Sequence, residues 1–163
     1  MVDIGQVVVH QDHGLCKITG MEHVNYVDKD YYVMYAKNDQ VTKIMVPCDK
    51  IDTLCRRVIT EEECLKVIDQ IKNLDEDFIT DNKKRKEEYL KMLQSGDLLN
   101  IAHLIKLLYH LFEEKKANNK AIGTVDISMF NDAKNRLFSE MQYVLKLNSF
   151  DDVELFIKNR IEN

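Results

Sequence analysis

Cys55-Arg56-Arg57-Val58-Ile59-Thr60-Glu61-Glu62-Glu63-Cys64-Leu65-Lys66-Val67-Ile68 is where this 163-residue chain changes character. Thr60-Glu61-Glu62-Glu63 has the form of a capping box. The threonine hydroxyl can accept from the backbone N–H three residues on, and Glu63 can reach back to the N–H of Thr60. A helix is therefore expected from Thr60 to about Asn73. Before Thr60 the apolar residues come in short β-branched and aromatic runs; after it they recur at helical spacing.

Upstream of the switch, Val7-Val8-Val9, Leu15–Val27, Tyr31–Ala36 and Thr42–Val46 read as strands, rich in Val, Ile, Thr and Tyr. Asp28-Lys29-Asp30 and Lys37-Asn38-Asp39-Gln40 supply turn chemistry at hairpin spacing. Apolar parity changes between Ile18 and Met21, which calls for an extra residue, and Gly20 is the natural bulge. Short, bent strands in so few residues predict a small, strongly twisted barrel. Pro47 should end the last ladder, because it has no N–H to donate.

Downstream, Asn73–Asn82 reads as an acidic connector carrying Asp75, Glu76, Asp77 and Asp81. A second helix is expected over Lys83–Gln94, broken by Ser95-Gly96, with Asp97 capping the next. From Leu98 to about Ala117, Leu98, Ile101, Ile105, Leu108 and Phe112 form one apolar stripe, and Leu104, Leu107 and Leu111 form another beside it. A helix apolar over most of its girth belongs at the centre of a bundle. A further helix is expected over Val125–Leu147, with Phe130, Ala133, Leu137, Met141 and Val144 inward. The last begins at Ser149 with Asp151 and Asp152 in its first turn. Its apolar face, Phe150, Val153, Ile157 and Ile161, needs cover, from the bundle by default or from a second copy in a homodimer.

The composition narrows the function. With 23 basic against 28 acidic residues the net charge is −5, which argues against autonomous binding to nucleic acid. Met1–Gly14 has no basic start followed by an apolar run, so no secretory signal is expected. Leu98–Phe112 is the most apolar stretch, yet it is interrupted by polar residues and too short to cross a bilayer. Cys16, Cys48, Cys55 and Cys64 form no CxxC pair, and they read as reduced thiols of a cytoplasmic protein rather than zinc ligands.

Few residues carry chemistry. His10, Asp12 and His13 lack an obvious third metal ligand. His103 and His110, seven apart on one helix face, suit hydrogen bonding better than catalysis. Tyr26, Tyr31, Tyr32 and Tyr35 could in principle cage a methylated amine, but sheet packing is the ordinary role of strand tyrosines. There is no glycine-rich phosphate loop and no nucleophile turn, so neither an enzyme nor a cofactor is expected. Lys83-Lys84-Arg85-Lys86 stands apart as the one dense positive run. It opens a helix, where the dipole disfavours cations, and so invites a phosphate-contact reading beside that of a solvated helix start.

Taken together, these residues resemble the CarD/CdnL family of bacterial transcription regulators over about residues 2–147. The likeness rests on Ile4-Gly5-Gln6-Val7-Val8, His13-Gly14, Asp30-Tyr31-Tyr32-Val33 and Ile44-Met45-Val46-Pro47. It continues in Lys84-Arg85-Lys86, Tyr89-Leu90-Lys91-Met92-Leu93 and Ser95-Gly96-Asp97. The resemblance implies an α+β chain: a small N-terminal Tudor-like twisted β-barrel over residues 1–59, then an all-α helical bundle over 60–163. It implies that the first domain binds the beta subunit of bacterial RNA polymerase, through Glu22 and Val24 on one strand and Lys43, Met45 and Val46 on another. A similar module occurs in the transcription-repair coupling factor. The helical domain would touch promoter DNA weakly and without reading sequence, through Asn82, Lys83, Lys84, Arg85, Lys86 and Lys134, and so alter open-complex stability.

Two departures bear on that implication. Many relatives carry a Trp wedge just before the basic run, where this chain has Asn82 and no Trp anywhere. Asp126-Ile127-Ser128 stands where relatives often place Lys or Arg, and residues 60–163 carry 16 basic against 20 acidic side chains, or −4. The alternative is an interaction module that binds polymerase, or another protein, without productive DNA contact.

Overall fold

The computed structural model describes residues 2–163. The chain forms two compact units, one ending at Val58 and the other beginning at Ile59. The first holds five antiparallel strands: β1 (Val7–His10), β2 (Gly14–Val24), β3 (Lys29–Ala36), β4 (Asp39–Pro47) and β5 (Cys55–Arg57). Their order is β4-β3-β2-β1-β5. Among the described residues no ladder joins β4 to β5, so the expected barrel is not closed by hydrogen bonds and both strands are edges. A 3-10 turn (Cys48–Lys50) and the short helix α1 (Ile51–Leu54) carry the chain from β4 to β5.

Strand alternation builds the core. Val8, Cys16, Ile18, Tyr32, Met34, Ala36, Ile44 and Val46 all point inward, one residue in two along each strand. The bulge is present: Ile18 pairs with Met34 and Gly20 with Val33, leaving Thr19 as the extra residue. Met21 beyond it is half-exposed, however, because β2 and β3 run on there as a solvated hairpin. Pro47 ends β4 opposite Tyr31.

The second unit holds α2 (Glu61–Ile71), α3 (Asn82–Gln94), α4 (Leu98–Ala117), α5 (Thr124–Leu145) and α6 (Phe150–Glu162). Thr60 and Glu63 complete both halves of the capping box. Asp97 accepts from the backbone N–H groups of Leu99 and Asn100, and Ser149 accepts from that of Asp152. Asp81 caps α3 by accepting from Lys84 N–H at 2.8 Å. Lys146 closes α5 in the left-handed region at φ 55°.

α4 is the central helix: it packs on α2, α3 and α5, with Leu104 and Leu108 fully buried. α6 lies on α2 and α5 and buries Val153 completely. The Arg160 guanidinium adds two bonds to Asp69, at 2.7 and 3.0 Å. The last helix therefore caps its own bundle. Glu140 on α5 accepts the backbone N–H of Ile59 at 3.1 Å, tying down the start of the unit. No helix among the described residues is long and apolar enough to cross a membrane.

Candidate functional site

The basic run does not act as one patch. In α3, Arg85, Tyr89 and Leu93 recur every fourth residue and share the buried face. Arg85 is only 2% exposed, and its partner Asp126 on α5 is 5% exposed. Arg85 Nε donates to Asp126 Oδ1 at 3.2 Å and Nη2 to Oδ2 at 2.9 Å. Nη1 donates to the carbonyls of Ile79 and Thr80, each at 3.1 Å, and Nη2 also donates to Asn82 Oδ1 at 2.8 Å. A guanidinium has five N–H groups in a fixed fork, and these contacts engage every nitrogen. Arg85 is thus withdrawn from the expected DNA-facing set, because its charge is satisfied inside the bundle.

The same contact changes the meaning of Asp126. Its carboxylate is folded into the ion pair and does not stand on the surface as an opposing charge. Tyr89 completes the arrangement by accepting the N–H of Ile79 at 3.1 Å. Burial pushes the Tyr89 phenol above its ordinary range, with the bond from Ile79 opposing. Arg85 and Tyr89 together pin the end of the connector to α3.

Asn82, Lys83, Lys84 and Lys86 remain exposed around this anchor. Asn82 is partly used as an acceptor for Arg85. Lys134 lies eight residues past Asp126 on α5, roughly 12 Å along the helix axis. Its ammonium sits 5.3 Å from the centre of the Phe138 ring, and no contact joins it to the α3 lysines among the described residues.

The acidic connector has its own partners. On α4, Lys106 Nζ donates to the carbonyl of Leu74 at 2.6 Å and of Ile71 at 3.3 Å. His103 Nε2 lies 3.5 Å from Asp75 Oδ1, and His110 Nε2 lies 3.3 Å from Glu76 Oε1. The two histidines thus hold a loop.

In the first unit the expected polymerase residues divide by face. Lys43 Nζ meets Glu22 Oε1 at 2.6 Å across the outer face of the sheet. Met45, two residues on, shares that face with Lys43. Val46 is 1% exposed and packs in the sheet core. It is removed from the surface set, because adjacent strand residues point to opposite faces. Val24 lies at the end of β2, half-buried and opposite Lys29. Sequence reasoning misses Val41, which is 90% exposed on the same edge strand. The signal for it is the alternation Val41-Lys43-Met45 itself.

The remaining candidates resolve as structure. Tyr26 lies in the β2–β3 turn, Tyr32 faces the core, and Tyr31 and Tyr35 face the other way, so no cage forms. The His10 and His13 rings stand 4.9 Å apart, but His10 Nδ1 already accepts the N–H of Asp12 at 3.0 Å. Among the described residues no three His, Cys, Asp or Glu side chains are grouped to hold a metal. All four cysteines are free thiols. Burial pushes the Cys16 thiol up to about 12 and the Cys55 and Cys64 thiols up to about 11.

Residues 2–59 match the family model described as the CarD-like/TRCF RID domain. Residues 66–156 match the model described as the CarD C-terminal domain. Comparison with curated proteins gives no match.

Proposed function

Because this chain belongs to the CarD family, whose members are RNA polymerase-interacting transcription factors, we propose that it binds the polymerase beta subunit and steadies promoter DNA. The first unit acts as a Tudor-like module. Its open β4 edge, with Val41, Lys43 and Met45 outward and Glu22 beside Lys43, offers backbone donors and acceptors to a partner strand. The second unit sets Lys83, Lys84 and Lys86 against the sugar–phosphate backbone, without reading bases.

The observation that carries this reading is the split of the basic run. One cation anchors the helix from within, and three lysines project from the resulting rigid turn. A charge of −4 over residues 60–163 leaves little affinity for free DNA. Tethering to polymerase supplies the missing local concentration.

The test pairs two measurements on the full chain. Capture from a bacterial lysate should retain the beta subunit. Charge reversal at Lys83 and Lys84 should change open-complex lifetime while leaving that capture intact. Failure to retain the beta subunit refutes the polymerase half. An unchanged lifetime with intact capture selects the second reading, a polymerase-binding module without DNA contact, which the absence of Trp favours.

A further inference from the structure

Most cations of the helical unit are committed to carboxylates: Arg85 to Asp126, Lys106 to Glu76, Arg136 to Asp132 and Arg160 to Asp69. Lys115, Lys116 and Lys120 are not. Among the described residues no carboxylate lies within ion-pair distance of them, and the same holds for Lys83, Lys84 and Lys86. Lys116 and Lys120 are exposed, and Lys115 is half-buried.

The fold brings these two groups to one end of the bundle. Arg85 bonds Asn82 on its own helix and Asp126 on α5 with the same nitrogen, so the first turns of α3 and α5 touch. A Cβ placed on Gly123 would lie 3.5 Å from Asp126 Oδ2, which sets the α4–α5 turn beside that ion pair. Lys120 is three residues before Gly123, hence no more than about 10 Å from it. Its backbone N–H donates to the Lys115 carbonyl at 2.8 Å, folding the turn back onto the last turn of α4. The chain of contacts thus runs from the α3 lysines through Arg85 and Asp126 to Lys120 and Lys115.

A local role explains part of this. Lys115 and Lys116 suit the negative end of the α4 dipole. It does not explain Lys120, which lies beyond the helix. Glu113 and Glu114 lie just before the α4 lysines, and Glu87 and Glu88 follow the α3 lysines, which keeps affinity for free DNA low. Asp126, the acid at the junction, is neutralised by Arg85.

We propose that Lys115, Lys116 and Lys120 form a second phosphate-contacting cluster, so that promoter duplex is held between the start of α3 and the α4–α5 turn. This rests on the DNA reading above and extends it to residues outside the basic run. The DNA-facing surface is then a cationic end of the bundle, built from two segments that only tertiary packing makes neighbours.

The experiment uses the full chain with bacterial RNA polymerase and a linear promoter fragment, and follows the salt dependence of the open-complex effect. Removing one lysine–phosphate interaction should reduce the log–log salt slope by about 0.9, or roughly 3.5-fold across a fourfold change in salt. Lys116→Gln and Lys120→Gln should each produce a decrease of that order. Lys84→Gln serves as reference for the basic run. Lys146→Gln, at the opposite end of α5, controls for loss of charge alone. If Lys84→Gln lowers the slope while Lys116→Gln and Lys120→Gln match the unmodified chain, the second cluster is refuted and the DNA reading stands. If Lys146→Gln lowers it equally, position is irrelevant and the second cluster is again refuted. If none of them, Lys84→Gln included, alters the slope, the DNA reading itself falls.

Discussion

Asp126→Ala is the sharpest perturbation of this structure. It removes both carboxylate acceptors of Arg85, at 3.2 and 2.9 Å, and leaves a guanidinium that is 2% exposed with two donor groups unanswered. Breaking one side of a buried ion pair costs about 3–5 kcal/mol, most of it the penalty of the stranded charge. That is a large share of the roughly 5–15 kcal/mol available to a domain of this size. With a urea dependence of about 1.5 kcal/mol per M, the midpoint should fall by about 2–3 M. Far-UV circular dichroism reports it, since nearly all the helix lies in the second unit. Arg85→Met should cost a similar amount, because it strands the carboxylate and leaves the Ile79 and Thr80 carbonyls without their donor. The double variant Arg85→Met, Asp126→Leu should be no worse than either single change, since no buried charge remains. A loss below about 1 kcal/mol for Asp126→Ala, or a double-variant cost equal to the sum of the singles, would refute the account of Arg85 as an internal anchor.

Other expectations follow from single features. Val41→Glu and Met45→Glu should weaken capture of the beta subunit while shifting the urea midpoint little, because both side chains are on an exposed strand edge; unchanged capture counts against that edge as the docking surface. Cys16 and Cys64, fully buried with thiols pushed up to about 12 and about 11, should resist alkylation near neutral pH until the chain is unfolded. Their native pKa values exceed the unfolded one of about 8.5, so the unfolded state loses its protons first and stability should fall as pH rises through about 9 towards 12, measured by urea titration at stepped pH. Asp97→Ala should cost about 0.5–2 kcal/mol by removing the acceptor of two N–H groups at the start of α4, with Asp97→Asn much milder.

The features legible in the sequence are the local ones. Thr60 with Glu63, Asp97 and Ser149 each act on backbone groups within three residues, so a short window of sequence carries the whole interaction. The stripes of α4 and α5 are legible for the same reason, since helical periodicity repeats every turn. Sequence and structure part where a local rule meets a distant partner. Parity assigns Met21 to a buried face, but that face ends just before it. Val46 falls within a segment expected at the surface, although the alternation that exposes Met45 buries its neighbour. β5 is not legible at all, because Cys55-Arg56-Arg57 has no strand signal of its own and pairs only because β1 presents Val8, Val9 and His10 to it.

Sequence alone is enough to separate a stranded first third from a helical remainder, to place most helix starts, and to single out the basic run as the residues most worth watching. Tertiary structure alone decides what each member of that run does. Arg85 is drawn inward by Asp126, forty-one positions away, and by carbonyls of the connector, because a buried guanidinium is tolerated only where every donor finds an acceptor. Its neighbours, turned outward by the helical repeat, keep their charge in solvent. Four consecutive cations thus divide into one anchor and three solvent-facing lysines, a division set by packing across the bundle rather than by anything in the run itself.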